Sequence, residues 1–294
     1  MLTRREFIKK SAQGASLLTL GPLISGCFSR GFFQNHIRRM SREEVKRTIQ
    51  RLEDEYRHEF SRQVKVKDTP AQQDVLFGMA IDLSKCIGCR RCVWACTKEN
   101  NQSRDPQITW IDVFEMKHGS SMELALDQGT RYYRREMVPA KGHFYLPVQC
   151  QQCQDPPCVK VCPVKATWKE PDGIIVIDYD WCIGCRYCLA ACPYGARRYN
   201  WGRPTLPAEE LNPNVHLLGN RPRSKGEVEK CTFCLHRTRE GLYPVCVEVC
   251  PTGARKFGNL LDSKSVIRKI MAEKNVFVLK PELNTKPRFY YYFS

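Results

Sequence analysis

Sixteen of the 17 cysteines in this 294-residue sequence fall into four groups with a common plan. "DLSKCIGCRRCVWAC" at 82–96 returns as "DYDWCIGCRYCLAAC" at 178–192. Looser copies run over 150–166 ("CQQCQDPPCVKVCPVKA") and 231–254 ("CTFCLHRTREGLYPVCVEVCPTGA"). In every copy three residues separate the last two cysteines, and proline follows the last in all but the first, where Thr97 stands. Thiols grouped in this way imply shared ligands, so the chain has to fold around four such loops. A C-x2-C-x2-C loop turns three sulfurs toward one object, while the fourth cysteine, about one helical turn on, points elsewhere and serves a neighbouring cluster. Zinc sites rarely use such a triple run with a proline-flanked fourth cysteine, and neighbours held in one loop form disulfides poorly. The pattern predicts [4Fe-4S] clusters and leaves zinc as the rival.

A chain of this length has room for one large or two small domains and buries a real core. Between the cysteine groups, "ITWIDVFEM" (108–116) and "GIIVIDYD" (173–180) read as strands. The result is a mixed α+β chain of repeated strand, cysteine loop and short helix. Ahead of the repeats, Ser41 stands three residues before Glu44 as a capping box, and Val45, Ile49, Leu52, Tyr56 and Phe60 follow at helical spacing. An amphipathic helix is expected there, packed on its own domain or on a partner subunit. Residues 61–75 read as a linker.

The formal charge of +16 would ordinarily point to nucleic acid or an anionic membrane surface. Arg4, Arg5, Lys9 and Lys10 against Glu6 account for +3 of it within residues 1–26. Four clusters, each about −2 with its thiolates, bring the holoprotein to roughly +5. No basic helix or aromatic stacking stripe accompanies the charge, so nucleic acid is excluded as a partner.

"TRREFIKK" (3–10), followed by a short apolar run to Ile24, has the order of a twin-arginine export signal. That route carries proteins already folded around cofactors, which explains how an exported chain keeps so many thiols out of disulfides. "ISGC" (24–27) resembles a lipobox, and Cys27 is the one cysteine outside the four groups. Its lipidation would hold the protein to the extracytoplasmic, or periplasmic, face of a membrane. The alternative is an incidental cysteine in a signal cut elsewhere or retained as an anchor.

From about residue 76 to 290 the sequence resembles the four-cluster iron-sulfur subunits of the dimethyl sulfoxide reductase and polysulfide reductase type. The resemblance is carried by "CIGCRRCVWAC", "YLPVQCQQCQDPPCVKVCP", "DYDWCIGCRYCLAACPYGARRYNW" and "EKCTFC…CVEVCPTGAR", in that order. It implies that the outer motifs pair with each other and the inner two likewise. Cluster 1 would then have Cys86, Cys89, Cys92 and Cys250, and cluster 2 Cys231, Cys234, Cys246 and Cys96. Cluster 3 would have Cys150, Cys153, Cys158 and Cys192, and cluster 4 Cys182, Cys185, Cys188 and Cys162. The pairing in turn implies two nested bacterial-ferredoxin-like modules with an N-terminal helical extension. Residues 76–147 with 221–294 form the outer module and 148–220 the inserted inner one, after a signal with lipobox (1–26) and an extension with linker (27–75).

The resemblance further implies an electron-transfer subunit, not an enzyme by itself. Its partners would be an integral membrane quinone-interacting subunit and a molybdopterin catalytic subunit or a multihaem cytochrome. A self-sufficient iron-sulfur enzyme would need an open ligand position, and sixteen cysteines for four clusters leave none. A zinc-stapled interaction protein would hold about one zinc per four cysteines. No Ser/His/Asp set, phosphate loop or dinucleotide fingerprint accompanies the cysteines. Trp94, Trp110, Trp168, Trp181 and Trp201 are expected to pack around the cluster loops. Arg90, Arg186, Arg197 and Arg198 are expected on the solvated surface, with balancing of cluster charge or docking of a partner as the alternatives. The ending "KPRFYYYFS" suits either an edge strand or a subunit contact.

Overall fold

The structure, a computed structural model, describes residues 35–119 and 129–294. The arginine pair, the lipobox and Cys27 lie outside the described residues. The strands are β1 (Lys65–Lys67), β2 (Phe77–Asp82), β3 (Asp112–Lys117), β4 (His143–Val148), β5 (Thr167–Lys169), β6 (Ile175–Ile177), β7 (Arg198–Tyr199), β8 (Asn214–His216), β9 (Val228–Glu229), β10 (Arg255–Asn259) and β11 (Phe289–Tyr292). The helices are α1 (Arg42–Phe60), α2 (Arg91–Glu99), α3 (Pro157–Lys160), α4 (Tyr187–Ala190), α5 (Leu235–Thr238), α6 (Val245–Glu248) and α7 (Val266–Glu273). Among the described residues no helix is long and apolar enough to cross a membrane.

Both halves of the expected capping box form at the start of α1: the Ser41 hydroxyl accepts from the Glu44 N–H and the Glu44 carboxylate accepts from the Ser41 N–H. Its apolar stripe buries Leu52, Tyr56 and Phe60 against Val64, Val66, Leu211, Val215 and Leu217, so α1 packs on its own chain. The stretch 61–75 is not the linker expected. Val64 and Val66 alternate into that cluster, and β1 pairs in parallel with β8 from Lys65↔Asn214 to Lys67↔His216. Three residues of strand flanked by polar neighbours are too short a period-2 signal to stand out in sequence.

The central sheet has the order β10–β2–β11, with β10 antiparallel and β11 parallel to β2. It joins the chain before the first cysteine group to the chain after the last. The aromatic ending is therefore an edge strand, with Phe289 and Tyr291 fully buried. Four two-stranded ribbons complete the architecture: β1–β8, β3–β4, β5–β6 and β7–β9. One core runs from Met79, Ile81, Phe233 and Phe257 through to Cys96, Cys150, Cys153, Cys231 and Cys246, so the cysteine loops belong to the core itself.

Three buried arginines in this fold face carboxylates. Arg239 Nε lies 2.9 Å from Asp172 Oδ2, Arg221 forks onto Asp180, and Arg223 Nε lies 3.9 Å from Glu229 Oε2. His216 in β8 is buried with its ring bonded to the Thr69 carbonyl and the Leu218 N–H. Burial first, then Arg239, His236 and Lys67, push its pKa down to about 3. Such a group stabilises the fold fully above its unfolded pKa of about 6.5, and the contribution drains away as pH falls toward 3. Below pH 6.5 the loss is about 1.4 kcal/mol per pH unit. The His216→Gln variant should therefore lose less thermal stability than the parent protein between about pH 7.5 and pH 5.5. Parallel melting curves for the two would disprove this assignment.

Candidate metal centres

Each cysteine motif begins with the same backbone device. The third residue of the leading C-x2-C is left-handed in all four copies: Gly88 (φ 70°), Gln152 (φ 45°), Gly184 (φ 68°) and Phe233 (φ 54°). This bend aims backbone N–H groups at the first sulfur, as in the 3.4 Å contact from Phe233 N to Cys231 Sγ. Glycine is the cheap residue for that conformation, yet two motifs manage without it, so φ alone is not the constraint. At Gly184 a Cβ would sit 2.2 Å from the Gly226 carbonyl oxygen, and backbone cannot yield. Gly184→Ala is thus expected to cost well over the roughly 1 kcal/mol of an ordinary glycine replacement and to lower iron retention. Iron per chain after heating would check it, parent-like retention counting against.

Where proline follows the fourth cysteine, the helix is short: α3, α4 and α6 have four residues each. With Thr97 in that place, α2 continues to Glu99. Proline lacks the N–H that a further turn needs. The chain leaving the longer α2 places Asn100 and Gln102 beside the buried Cys96. Gln102 Nε2 lies 3.2 Å from Cys96 Sγ, and Asn100 Nδ2 lies 3.5 Å from Cys96 Sγ and 3.6 Å from Cys234 Sγ.

The sixteen described cysteines are all free thiols. Cys86, Cys89, Cys92 and Cys250 line one cavity together with Ile81, Gly88 and Arg255. Cys162, Cys182, Cys185 and Cys188 line another with Ile177, Gly184 and Arg197. Cys96 lies near Cys231, Cys234 and Cys246, all of them buried. Cys153 is accompanied by Cys150, Cys158 and Cys192. Consecutive quartets also meet: Cys246 lies near Cys92, Cys231 near Cys150, and Cys188 near Cys158. The four form a row whose inner members are the more buried. Every cysteine of the first quartet keeps some exposure, and so do Cys162, Cys182 and Cys185 of the last.

These thiols do not suit bare thiolates. Burial, reinforced by the neighbouring sulfurs, pushes Cys153 and Cys231 up to about 12 and Cys96 and Cys234 well above the ordinary thiol range. For Cys86 and Cys246 burial is again the first cause, partly offset by Arg255, with both near 11. Only Cys250 goes down: burial opposes it, but the Arg255 N–H, the Thr252 hydroxyl and the Ala254 N–H outweigh that. Deprotonating four such thiols around one space requires a cationic group at its centre. Among the described residues no three His, Cys, Asp or Glu side chains converge tightly enough for a single ion. Zinc at ~2.3 Å from each sulfur needs that tight convergence, whereas a cubane spreads its ligands. The donor set fits iron-sulfur clusters.

Arg197 departs from expectation. It is buried, with Nη2 3.1 Å from Cys158 Sγ and 3.0 Å from Thr167 Oγ1. Arg198 is half-buried against Asp112 and the Thr109 carbonyl. Arg90 and Arg186 do lie at the surface, stacked on Tyr133 and Trp201. Among the tryptophans, Trp110 and Trp168 are buried as expected, but Trp94 and Trp201 are 59% and 64% exposed. Arg255, which sequence reasoning passed over, is buried with Nη2 3.5 Å from Cys92 Sγ and Nη1 3.9 Å from Cys246 Sγ. A signal for both was present, since "GAR" follows C-P-x at 195–197 and again at 253–255.

Two family models described as 4Fe-4S dicluster domains match the chain, one over residues 142–208 and 219–260, the other over 85–167. A putative dimethyl sulfoxide reductase iron-sulfur subunit of Halobacterium salinarum is 42% identical over 215 residues, 73% of this chain and 78% of the relative. An Hdr-like menaquinol oxidoreductase iron-sulfur subunit of Archaeoglobus fulgidus is 39% identical over 244 residues, covering 73% and 82%. The iron-sulfur cluster-binding subunit of a menaquinone reductase of Nitratidesulfovibrio vulgaris is 38% identical over 246 residues, covering 74% and 88%.

Proposed function

The chain belongs to the iron-sulfur electron-transfer subunits of respiratory reductase complexes and carries four [4Fe-4S] clusters; from that premise we propose that it relays electrons between an integral membrane quinone-interacting subunit and a molybdopterin catalytic subunit or multihaem cytochrome. The observation that carries this reading is the row of four cysteine quartets, with partly exposed cysteines in both end quartets and the most deeply buried in between. Clusters supply one-electron chemistry when bound. The chain's own part is to hold them in sequence, exclude water from the inner pair and leave the end pair near partners.

Within this proposal cluster 1 is held by Cys86, Cys89, Cys92 and Cys250, and cluster 2 by Cys231, Cys234, Cys246 and Cys96. Cluster 3 is held by Cys150, Cys153, Cys158 and Cys192, and cluster 4 by Cys182, Cys185, Cys188 and Cys162. Support comes from the cavities and neighbour relations of these sulfurs. An outer module of 76–147 with 221–294, enclosing an inner one of 148–220, accords with the pairing of β2 to β10 and β11 and of β5 to β6. Helix α1 and β1 would be the extension that precedes them.

Export by the twin-arginine route and anchoring through a lipidated Cys27 belong to the same proposal, on the strength of the sequence around Arg4–Arg5 and Ile24–Cys27. Cys27→Ser should abolish incorporation of a labelled fatty acid into the chain, while the membrane subunit still retains it on washed membranes, and replacing Arg4 and Arg5 by lysine should retain it in the cytoplasm.

The first experiment is iron and acid-labile sulfide per chain on anaerobically purified complex, with low-temperature EPR before and after reduction. About sixteen of each, with interacting signals, is the expected result. Zinc in their place would overturn the reading. Molybdenum or haem in the same preparation identifies the second partner.

A further inference from the structure

Arg197 and Arg255 differ from the other buried arginines in what they face. Arg221, Arg223 and Arg239 each meet a carboxylate, and Arg288 caps the carbonyls of Gln152, Phe77 and Gly173. The partners of Arg197 are Cys158 Sγ and Thr167 Oγ1. Those of Arg255 are Cys92 Sγ, Cys246 Sγ, Met79 Sδ and Gln149 Oε1. A guanidinium stays charged at any ordinary pH, and burying one without an anion costs several kcal/mol. The anions available to these two are the cysteine sulfurs.

Their placement is regular. Arg255 lies between the first two quartets, touching Cys92 of one and Cys246 of the other. Arg197 lies between the last two, bonded to Cys158 and close to Cys188. In both cases burial opposes the charge and the surrounding sulfurs more than offset it. Lys230 occupies the middle junction, its Nζ held by the Ile175 and Cys231 carbonyls near Cys150.

Resting on the four-cluster reading above, we propose that Arg255 and Arg197 set the electron affinities of the clusters in pairs, Arg255 for clusters 1 and 2 and Arg197 for clusters 3 and 4. The step they bias is a one-electron exchange without a proton. One cluster goes from a net charge of about −2 to about −3 with its thiolates, and the neighbouring reduced cluster is oxidised by the same electron. A fixed cation at the junction favours the more negative form on either side. It therefore raises both potentials together and keeps an electron from being stranded on one member of the pair.

EPR-monitored redox titration of the anaerobically purified complex tests this. Arg197→Gln should lower two of the four midpoints, each by about tenfold or more in the reduction equilibrium, roughly 59 mV for a one-electron couple. Arg255→Gln should lower the other two. The lysine variants should restore most of each shift, and the double glutamine variant should show the sum of the singles. A merely structural arginine would leave the midpoints in place.

With iron and sulfide still near sixteen per chain, unmoved midpoints, a common shift of all four, or failure of lysine to restore them overturns the inference alone. Zinc instead of iron overturns the four-cluster reading. If a glutamine variant loses iron, Thr167→Val and Gln149→Leu take its place, since each removes an anchor of the guanidinium and leaves the charge. Each should displace the same pair by less, and no pairwise displacement would overturn the proposal.

Discussion

Cys96→Ala and Cys234→Ala are expected to abolish the same EPR signal, and Cys92→Ala a different one, although Cys92 and Cys96 belong to one motif and Cys234 lies far along the chain. The reason is geometric. One helical turn of α2 sets Cys96 about 5–6 Å further along the axis than Cys92, and Cys96 lies near Cys231, Cys234 and Cys246. Each of the first two variants should retain about twelve iron atoms per chain. Turnover of the intact complex should fall by more than the roughly 10–100-fold that loss of a supporting hydrogen bond costs a metal site, because an inner link of the row is missing. If Cys96→Ala and Cys92→Ala silenced the same signal while Cys234→Ala silenced another, the motifs would be self-contained and the nested arrangement would fail.

The second large effect concerns stability. Glu229, fully buried in β9, accepts from Trp110 Nε1 and Asn200 Nδ2 at 2.7 Å each and faces Arg223, which is itself buried over the Trp110 and Tyr179 rings. Glu229→Ala leaves a buried guanidinium without its carboxylate and two donors without an acceptor. The expected loss is about 3–5 kcal/mol, read as a lower denaturant midpoint of the holoprotein. Glu229→Gln keeps one acceptor oxygen and should fall between. The pair Glu229→Leu with Arg223→Met should recover much of the loss, because the penalty arises from the stranded charge rather than from a missing attraction. A near-neutral Glu229→Ala would mean that Arg223 finds another anion in the fold.

The cysteine groups, the strand segments around 108–116 and 173–180, and the capped helix from Arg42 to Phe60 were all legible, because each is a local pattern. Ligand spacing, alternation and capping act within about a dozen residues, and the chain cannot hide them. The glycine of "CIGC" was visible but its necessity was not, since the clash at Gly184 comes from the Gly226 carbonyl. The strand β1 was read as a linker because its partner, β8, lies some 150 residues on. Arg197 and Arg255 show the limit most clearly. In sequence they are two of 47 basic residues, set apart only by the "GAR" that follows C-P-x in both motifs. Burial against sulfur singles them out, and burial is a property of what the rest of the chain brings to that point. The sequence by itself therefore determined the cofactor type and the ligand inventory, which depend on short-range spacing. The tertiary structure alone decided the order of the four quartets, which of them water reaches, and where the fixed charges stand between them, because those depend on distances through space.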